Sequence, residues 1–167
     1  NENSSVKGNI FIPDAMEKRK NKITLNTLVS AIIGNNFIGG KLHIFQKQDD
    51  DIDTPYQKIK DIFSLIKQHL PKYSKDVNSY LLSNKGLRML FRFIQIYERN
   101  KIKGNVTCTV EELIKDLKNI IDDSFIKKLD DYYGEGGANK AASKVFTLLK
   151  RRNRERYEHL KSDLRAI

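Results

Sequence analysis

A chain of 167 residues with 39% apolar and 31% charged side chains can bury a real core and is too apolar to be a disordered polyelectrolyte. Its 31 Lys and Arg against 21 Asp and Glu leave a net charge of +10, which directs attention to anionic partners, nucleic acid first and an anionic membrane surface second. No apolar run approaches the ~20 residues needed to span a bilayer, and the opening NENSSVKGN lacks the apolar segment of a secretory signal, so no membrane-spanning segment is expected and no membrane is carried forward as a partner. The single cysteine, Cys108, excludes an internal disulfide and fits a reducing, cytoplasmic location. The first residue is Asn1 rather than Met, so the chain is expected to be the C-terminal part of a longer protein.

Residues 1–22 read as an irregular basic lead-in. Ile10, Phe11 and Ile12 before Pro13 suggest one short extended piece. Lys18, Arg19, Lys20 and Lys22 form a basic run, read either as a solvated linker or as an added phosphate contact. From residue 23 the pattern is helical. Leu25, Leu28, Val29, Ile32 and Ile33 give a buried face to a helix over about 25–35, capped by Thr24. Gly39-Gly40 then marks a turn. The acids Asp49, Asp50 and Asp51 lack the alternating ligands, central Gly and distal Glu of a calcium loop, which favours a solvated loop. Thr54 and Pro55 open a second helix whose face is Tyr56, Ile59, Ile62, Phe63, Ile66 and Leu70, and Pro71 stops it.

The most apolar long run is SNKGLRMLFRFIQIYER. Leu87, Leu90, Phe91, Ile94 and Tyr97 share one face, and Met89, Phe93 and Ile96 widen it, so the helix over 84–99 is expected to be covered on more than one side and to be central. Ser83 or Asn84 caps it and Gly104 follows its end. Thr109 and Glu112 have capping-box spacing at the start of a helix over about 110–120. A break near Asp122-Asp123 precedes a helix to about residue 132. Gly134, Gly136 and Gly137 form a structural turn, with positive φ expected at Gly136 or Gly137. The last helix then runs from about Ala138 to Leu164, with Ala141, Ala142, Val145, Leu148 and Leu149 as its apolar part. The expected architecture is all-α, a single compact domain over 23–167 with about five or six helices around the central one.

Function rests on charge. Between Lys140 and Ile167 nine basic residues stand against Glu155, Glu158 and Asp163, an excess of six. The candidate nucleic-acid contacts are Lys140, Lys144, Lys150, Arg151, Arg152, Arg154 and Arg156, with Arg best suited to gripping phosphate through its planar fork. The alternative is a solvated helix face laced by Glu/Arg pairs. Tyr132-Tyr133 can stack on bases, or pack in the core. YGEGGANKAASKV is not a Walker A loop, since G-x-x-x-x-G-K-[ST] is absent. His43, His69 and His159 are scattered, Cys108 has no His near it in sequence, and no metal-ligand, nucleophile or paired-carboxylate pattern is present, so no cofactor, metal or catalytic residue is expected.

Two stretches, YLLSNKGLRMLFRFIQIY and YGEGGANKAASKVFTLLK, resemble the C-terminal part of DGQHR-domain proteins, a family that includes the regulator of bacterial DNA phosphorothioation. Thr54–Leu70 is similar to the helix that precedes the first of these in that family, and the likeness spans roughly residues 22–150. The DGQHR motif itself is absent, so no catalytic residue carries over. The resemblance implies an accessory region of a protein linked to DNA modification, defence or its regulation. Together with the charge it leads to the expectation of a non-catalytic, DNA-associated domain binding duplex DNA weakly and non-specifically, or alternatively a helical protein–protein module with an incidental basic surface. A protein partner, or the preceding part of the same chain, is expected beside it.

Overall fold

The computed structural model describes residues 10–11, 23–35, 37, 44–45, 53–74, 80–129, 131–132 and 134–161. The basic run at 18–22, Gly39-Gly40, the acids at 49–51, Tyr133 and Arg165 lie outside these residues. Seven α-helices are present among them: α1 (Leu25–Gly34), α2 (Asp53–His69), α3 (Asn84–Ile102), α4 (Val110–Lys118), α5 (Asp123–Leu129), α6 (Gly134–Arg152) and α7 (Arg154–Tyr157). The fold is all-α. The only strand pairing among the described residues is two residues long and parallel, β1 (Ile10–Phe11) with β2 (Ile23–Thr24). Thr24 therefore sits in a strand instead of capping α1. The chain divides into two compact units, Asn1–Arg88 and Met89–Ile167, with the boundary inside α3.

In the first unit α2 buries Ile62, Phe63, Ile66 and Leu70 of the face read from its spacing, with Pro55 buried in its first turn, whereas Ile59 is half-buried and Tyr56 is exposed near the helix start. Pro71 stops the helix and opens a single 3-10 turn over Pro71–Tyr73. The buried hydroxyl of Ser74 donates to the Leu70 carbonyl at 2.8 Å, satisfying an acceptor left free at the helix end. α1 differs from expectation. Thr27 and Ala31 are buried, whereas Val29 is 44% and Ile33 57% exposed. The helix is apolar around most of its circumference, so hydrophobic spacing could not select which face would be packed. Nearby, Phe37 and Phe45 stack with centroids 4.6 Å apart. A 3-10 turn over Tyr80–Leu82 leads into α3, and Leu81, Leu82 and Leu87 are buried. Ser83 caps as expected: its Oγ accepts from the Gly86 N–H at 3.1 Å. Gly86 is fixed by space, because a Cβ there would lie 1.9 Å from the Tyr80 carbonyl oxygen.

In the second unit Met89, Leu90, Phe91, Phe93, Ile94, Ile96 and Tyr97 are all buried, so α3 is covered on more than one side. Its end is closed by a Schellman arrangement. The Gly104 N–H bonds to the Lys101 carbonyl at 3.0 Å and the Asn105 N–H to the Asn100 carbonyl at 2.9 Å, with Gly104 at φ 72°. α4 begins with the predicted capping box, Glu112 N–H to Thr109 Oγ1 at 3.2 Å and Thr109 N–H to Glu112 Oε2 at 2.7 Å. Asp122 caps α5 by accepting from Phe125 N–H at 2.6 Å. Ala138, Ala141, Ala142, Val145, Phe146 and Leu149 form the buried side of α6, where Phe146 stacks on Phe93 of α3 at 4.5 Å.

Two expectations about the C-terminal third need correcting. Gly134, Gly136 and Gly137 lie inside the first turns of α6 and do not form a turn ahead of it, and neither Gly136 nor Gly137 has positive φ. Gly137 is needed for close approach, since a Cβ would stand 2.7 Å from the Tyr132 carbonyl carbon. The final helix also does not run unbroken to residue 164. It ends at Arg152, and Asn153, at φ −138° and ψ 76°, caps the separate α7 through Arg156 N–H to Asn153 Oδ1 at 3.2 Å.

Opposite signs are expected at two helical glycines. Gly86→Ala must displace backbone and should destabilise by roughly 1–3 kcal/mol. Gly136→Ala meets open space and should be neutral or stabilising by up to about 1 kcal/mol, because Ala favours helix. Urea unfolding of both variants checks this, and equal losses at the two sites would contradict the geometry. Phe93→Ala, by emptying a fully buried ring site, should lose about 3–5 kcal/mol in the same assay.

Candidate nucleic-acid interface

The 3.6-residue repeat of α6 sorts its cations. With Ala141, Ala142, Val145, Phe146 and Leu149 facing the core, the opposite side carries Lys140, Lys144, Thr147 and Arg151, all exposed. Successive members are four, three and four residues apart, so they form one stripe about 16 Å long. Among the described residues no carboxylate pairs with Lys140, Lys144, Arg151 or Arg152. Arg152 is exposed at the helix end, off the stripe, and Lys150 is half-buried on the flank. The only other polar group in the stripe, Thr147, bonds its hydroxyl back to the Ser143 carbonyl at 2.9 Å.

The remaining candidates fall outside this surface. Arg154 is exposed and pairs loosely with Glu158 one turn on, at 3.4 Å, an arrangement worth only about 0.3–0.5 kcal/mol. Arg156 is committed elsewhere. Its Nη1 donates to Asp116 Oδ2 at 2.8 Å and its Nη2 lies 3.5 Å from Glu112 Oε1, so it ties α7 to α4. Burial by itself would lower this guanidinium, but the bonded Asp116 carboxylate outweighs that and raises it. Of the candidate arginines, Arg151 and Arg152 therefore end α6 while Arg154 and Arg156 lie beyond the break at Asn153, and Arg156 is taken up by the fold.

Sequence reasoning missed the role of Tyr157, which lies in the basic run yet is completely buried. Its hydroxyl donates to Asp116 Oδ2 at 2.7 Å and accepts from the Cys108 thiol at 3.9 Å. Burial, then the hydrogen bond to Asp116, pushes this phenol far above its usual range, so it remains a donor. Burial likewise pushes the Cys108 thiol up against the opposing influence of Tyr157 and Arg156, which suits a packed thiol and not a thiolate nucleophile. Tyr97 closes the cluster by donating to the Cys108 carbonyl at 2.7 Å. A second tie lies just beyond α7. The fully buried Asn100 accepts from the Lys161 N–H at 2.8 Å and donates to the Lys161 carbonyl at 2.9 Å, pairing with that backbone as a neighbouring strand would.

Among the described residues, which include His69 and His159 and leave out His43, no group of three His, Cys, Asp or Glu side chains could hold a metal ion. Nor is any helix among them long and apolar enough to cross a membrane. Comparison with protein-family models, curated proteins and solved structures finds no match to this chain.

The clasp makes two stability predictions. Tyr157→Phe and Arg156→Gln should each lose roughly 1–2 kcal/mol in urea unfolding, since each leaves Asp116 short of a donor. The acid limb has a defined sign. Hydrogen bonds from Thr109, first its backbone N–H and then its hydroxyl, hold Glu112 below its ordinary 4.5. Its contribution is therefore fully present above pH 4.5 and is lost as pH falls through the lower folded-state value. Glu112→Gln should flatten that part of the stability–pH curve, and an unchanged acid limb would show that the box does not titrate with folding.

Proposed function

We propose that this chain is a non-catalytic, DNA-associated accessory module of the DGQHR type that grips the phosphate backbone of duplex DNA through the exposed stripe of α6. The observation that supports this reading is the alignment of Lys140, Lys144 and Arg151 on one exposed helix face without acidic partners among the described residues. Unpaired cations in a row repel one another and contribute nothing to the fold, whereas an anionic polymer laid along them neutralises all three and releases its own counterions. Base reading is not part of the proposal. The stripe carries no Asn, Gln or aromatic side chain to meet a base edge or face, so binding is electrostatic and sequence-tolerant. The family assignment rests on the two stretches around Tyr80–Tyr97 and Tyr133–Lys150.

A second reading, a protein-docking module, draws on the exposed Val29 and Ile33, which stand one turn apart on α1. The two readings differ in their response to salt. Fluorescence anisotropy with a labelled duplex should give micromolar or weaker binding whose log–log salt slope is about −0.9 per phosphate contact. Changing Lys140, Lys144 and Arg151 together to Gln should flatten the slope by about 2–3 without loss of folding. Absence of binding at low salt, or an unchanged slope in the folded triple variant, would contradict the stripe as the contact surface.

A further inference from the structure

A second cationic feature lies on α3. Arg92 and Arg99 are seven residues apart and so share one side of the helix, with Gln95 between them. Gln95 is 1% exposed and its Oε1 accepts from Arg92 Nη1 at 2.7 Å, which fixes the arginine to the helix surface. Arg99 is also half-buried. Its Nε–H, like that of Arg92, is shut off from solvent without an acceptor, and among the described residues the Arg99 guanidinium has no hydrogen bond or ion pair. Burial, and after it the positive charge of Arg92, depresses Arg99 below its ordinary value. One turn further on, Lys103 adds a third cation, its N–H bonded to the Arg99 carbonyl at 3.2 Å. A half-buried guanidinium beside a second one, with no counter-charge of its own, is an unfavourable arrangement that an incoming anion would relieve.

We propose that Arg99, with Arg92 beside it, forms a binding site for a phosphate-class oxyanion that is separate from the α6 stripe. The shape of the groups selects the ligand. The two terminal Nη groups of Arg99 present parallel donors that match two oxygens of a phosphate group, and two neighbouring guanidinium charges suit a dianion better than a single carboxylate. The phosphate can come from a free phosphate or from a nucleic-acid backbone.

The test is a titration of the intact chain with inorganic phosphate at constant ionic strength, following the Arg99 Nε–H resonance and the heat of binding. Saturable binding is expected, about 10-fold or more weaker in Arg99→Gln, whose folding is checked by circular dichroism. Should Arg99→Gln fail to fold, Arg99→Lys keeps the charge, loses the fork and should be weakened likewise. The Lys140, Lys144 and Arg151 triple variant should bind phosphate as the parent does. A duplex titration of Arg99→Gln identifies the source: reduced duplex affinity assigns a backbone phosphate to the site, and unchanged duplex affinity assigns a free one. A response that never saturates, equal phosphate affinity in a folded Arg99 variant, or loss of phosphate binding in the stripe variant would overturn the proposal. Because the phosphate titration does not involve α6, its failure is distinct from failure of the duplex-binding reading.

Discussion

One carboxylate oxygen organises the C-terminal third of the chain. Asp116 Oδ2 accepts from both the Tyr157 hydroxyl at 2.7 Å and Arg156 Nη1 at 2.8 Å, and with them holds α7 against α4. An acceptor taken partly out of water must be satisfied, and here two donors from adjacent residues do so. Adjacent residues on a helix point about 100° apart, so both can reach one atom only if α7 is set at a particular angle to α4. A straight continuation of α6 would not provide it. Asn153 breaks the helix and caps the next one, and Asn100 then secures the backbone at Lys161. The clasp also divides the basic run into cations that hold the fold and cations that face solvent.

That division decides how a net charge of +10 is to be read. Charge alone does not separate function from composition. Geometry separates Arg156, spent on Asp116, and Arg154, loosely matched by Glu158, from the unpaired row on α6. It also draws out Arg99, whose half-buried guanidinium has no ion pair among the described residues, a feature that nothing in a linear count of basic residues would indicate. The same reasoning gives the buried polar groups their roles. Cys108, Tyr97 and Tyr157 form a hydrogen-bonded cluster in which burial holds each group in its neutral form.

Much of the helical architecture was legible because its signals are local. Capping at Ser83, the Thr109–Glu112 box, Pro71 as a stop and Gly104 after α3 act within four residues and appear in place. The wide apolar surface of α3 likewise predicted burial on several sides. What failed depended on packing that hydrophobic spacing does not encode. Val29 and Ile33 have the right spacing for a core face, but on an apolar helix the neighbours decide which side is covered. The glycines at 134–137 suggested a turn, and only the proximity of Tyr132 shows that Gly137 serves close packing inside a helix. Arg156 reads as part of a basic surface because its partner Asp116 is 40 residues away in the chain. The break inside the last helical stretch does carry a local signal, since Asn153 is a favoured N-cap residue.

The most direct measurement of which cations meet nucleic acid is residue-resolved NMR shift mapping of the folded chain as a short duplex is added at low salt. If the stripe is the contact surface, the largest changes fall on Lys140, Lys144, Thr147 and Arg151, while the Tyr157 hydroxyl and the Arg156 side chain, fixed on Asp116, stay in place. Shifts centred on Arg156 and Tyr157 with the α6 stripe unaffected would contradict it, since the clasp would then be opening to bind and α6 would be only a solvated face.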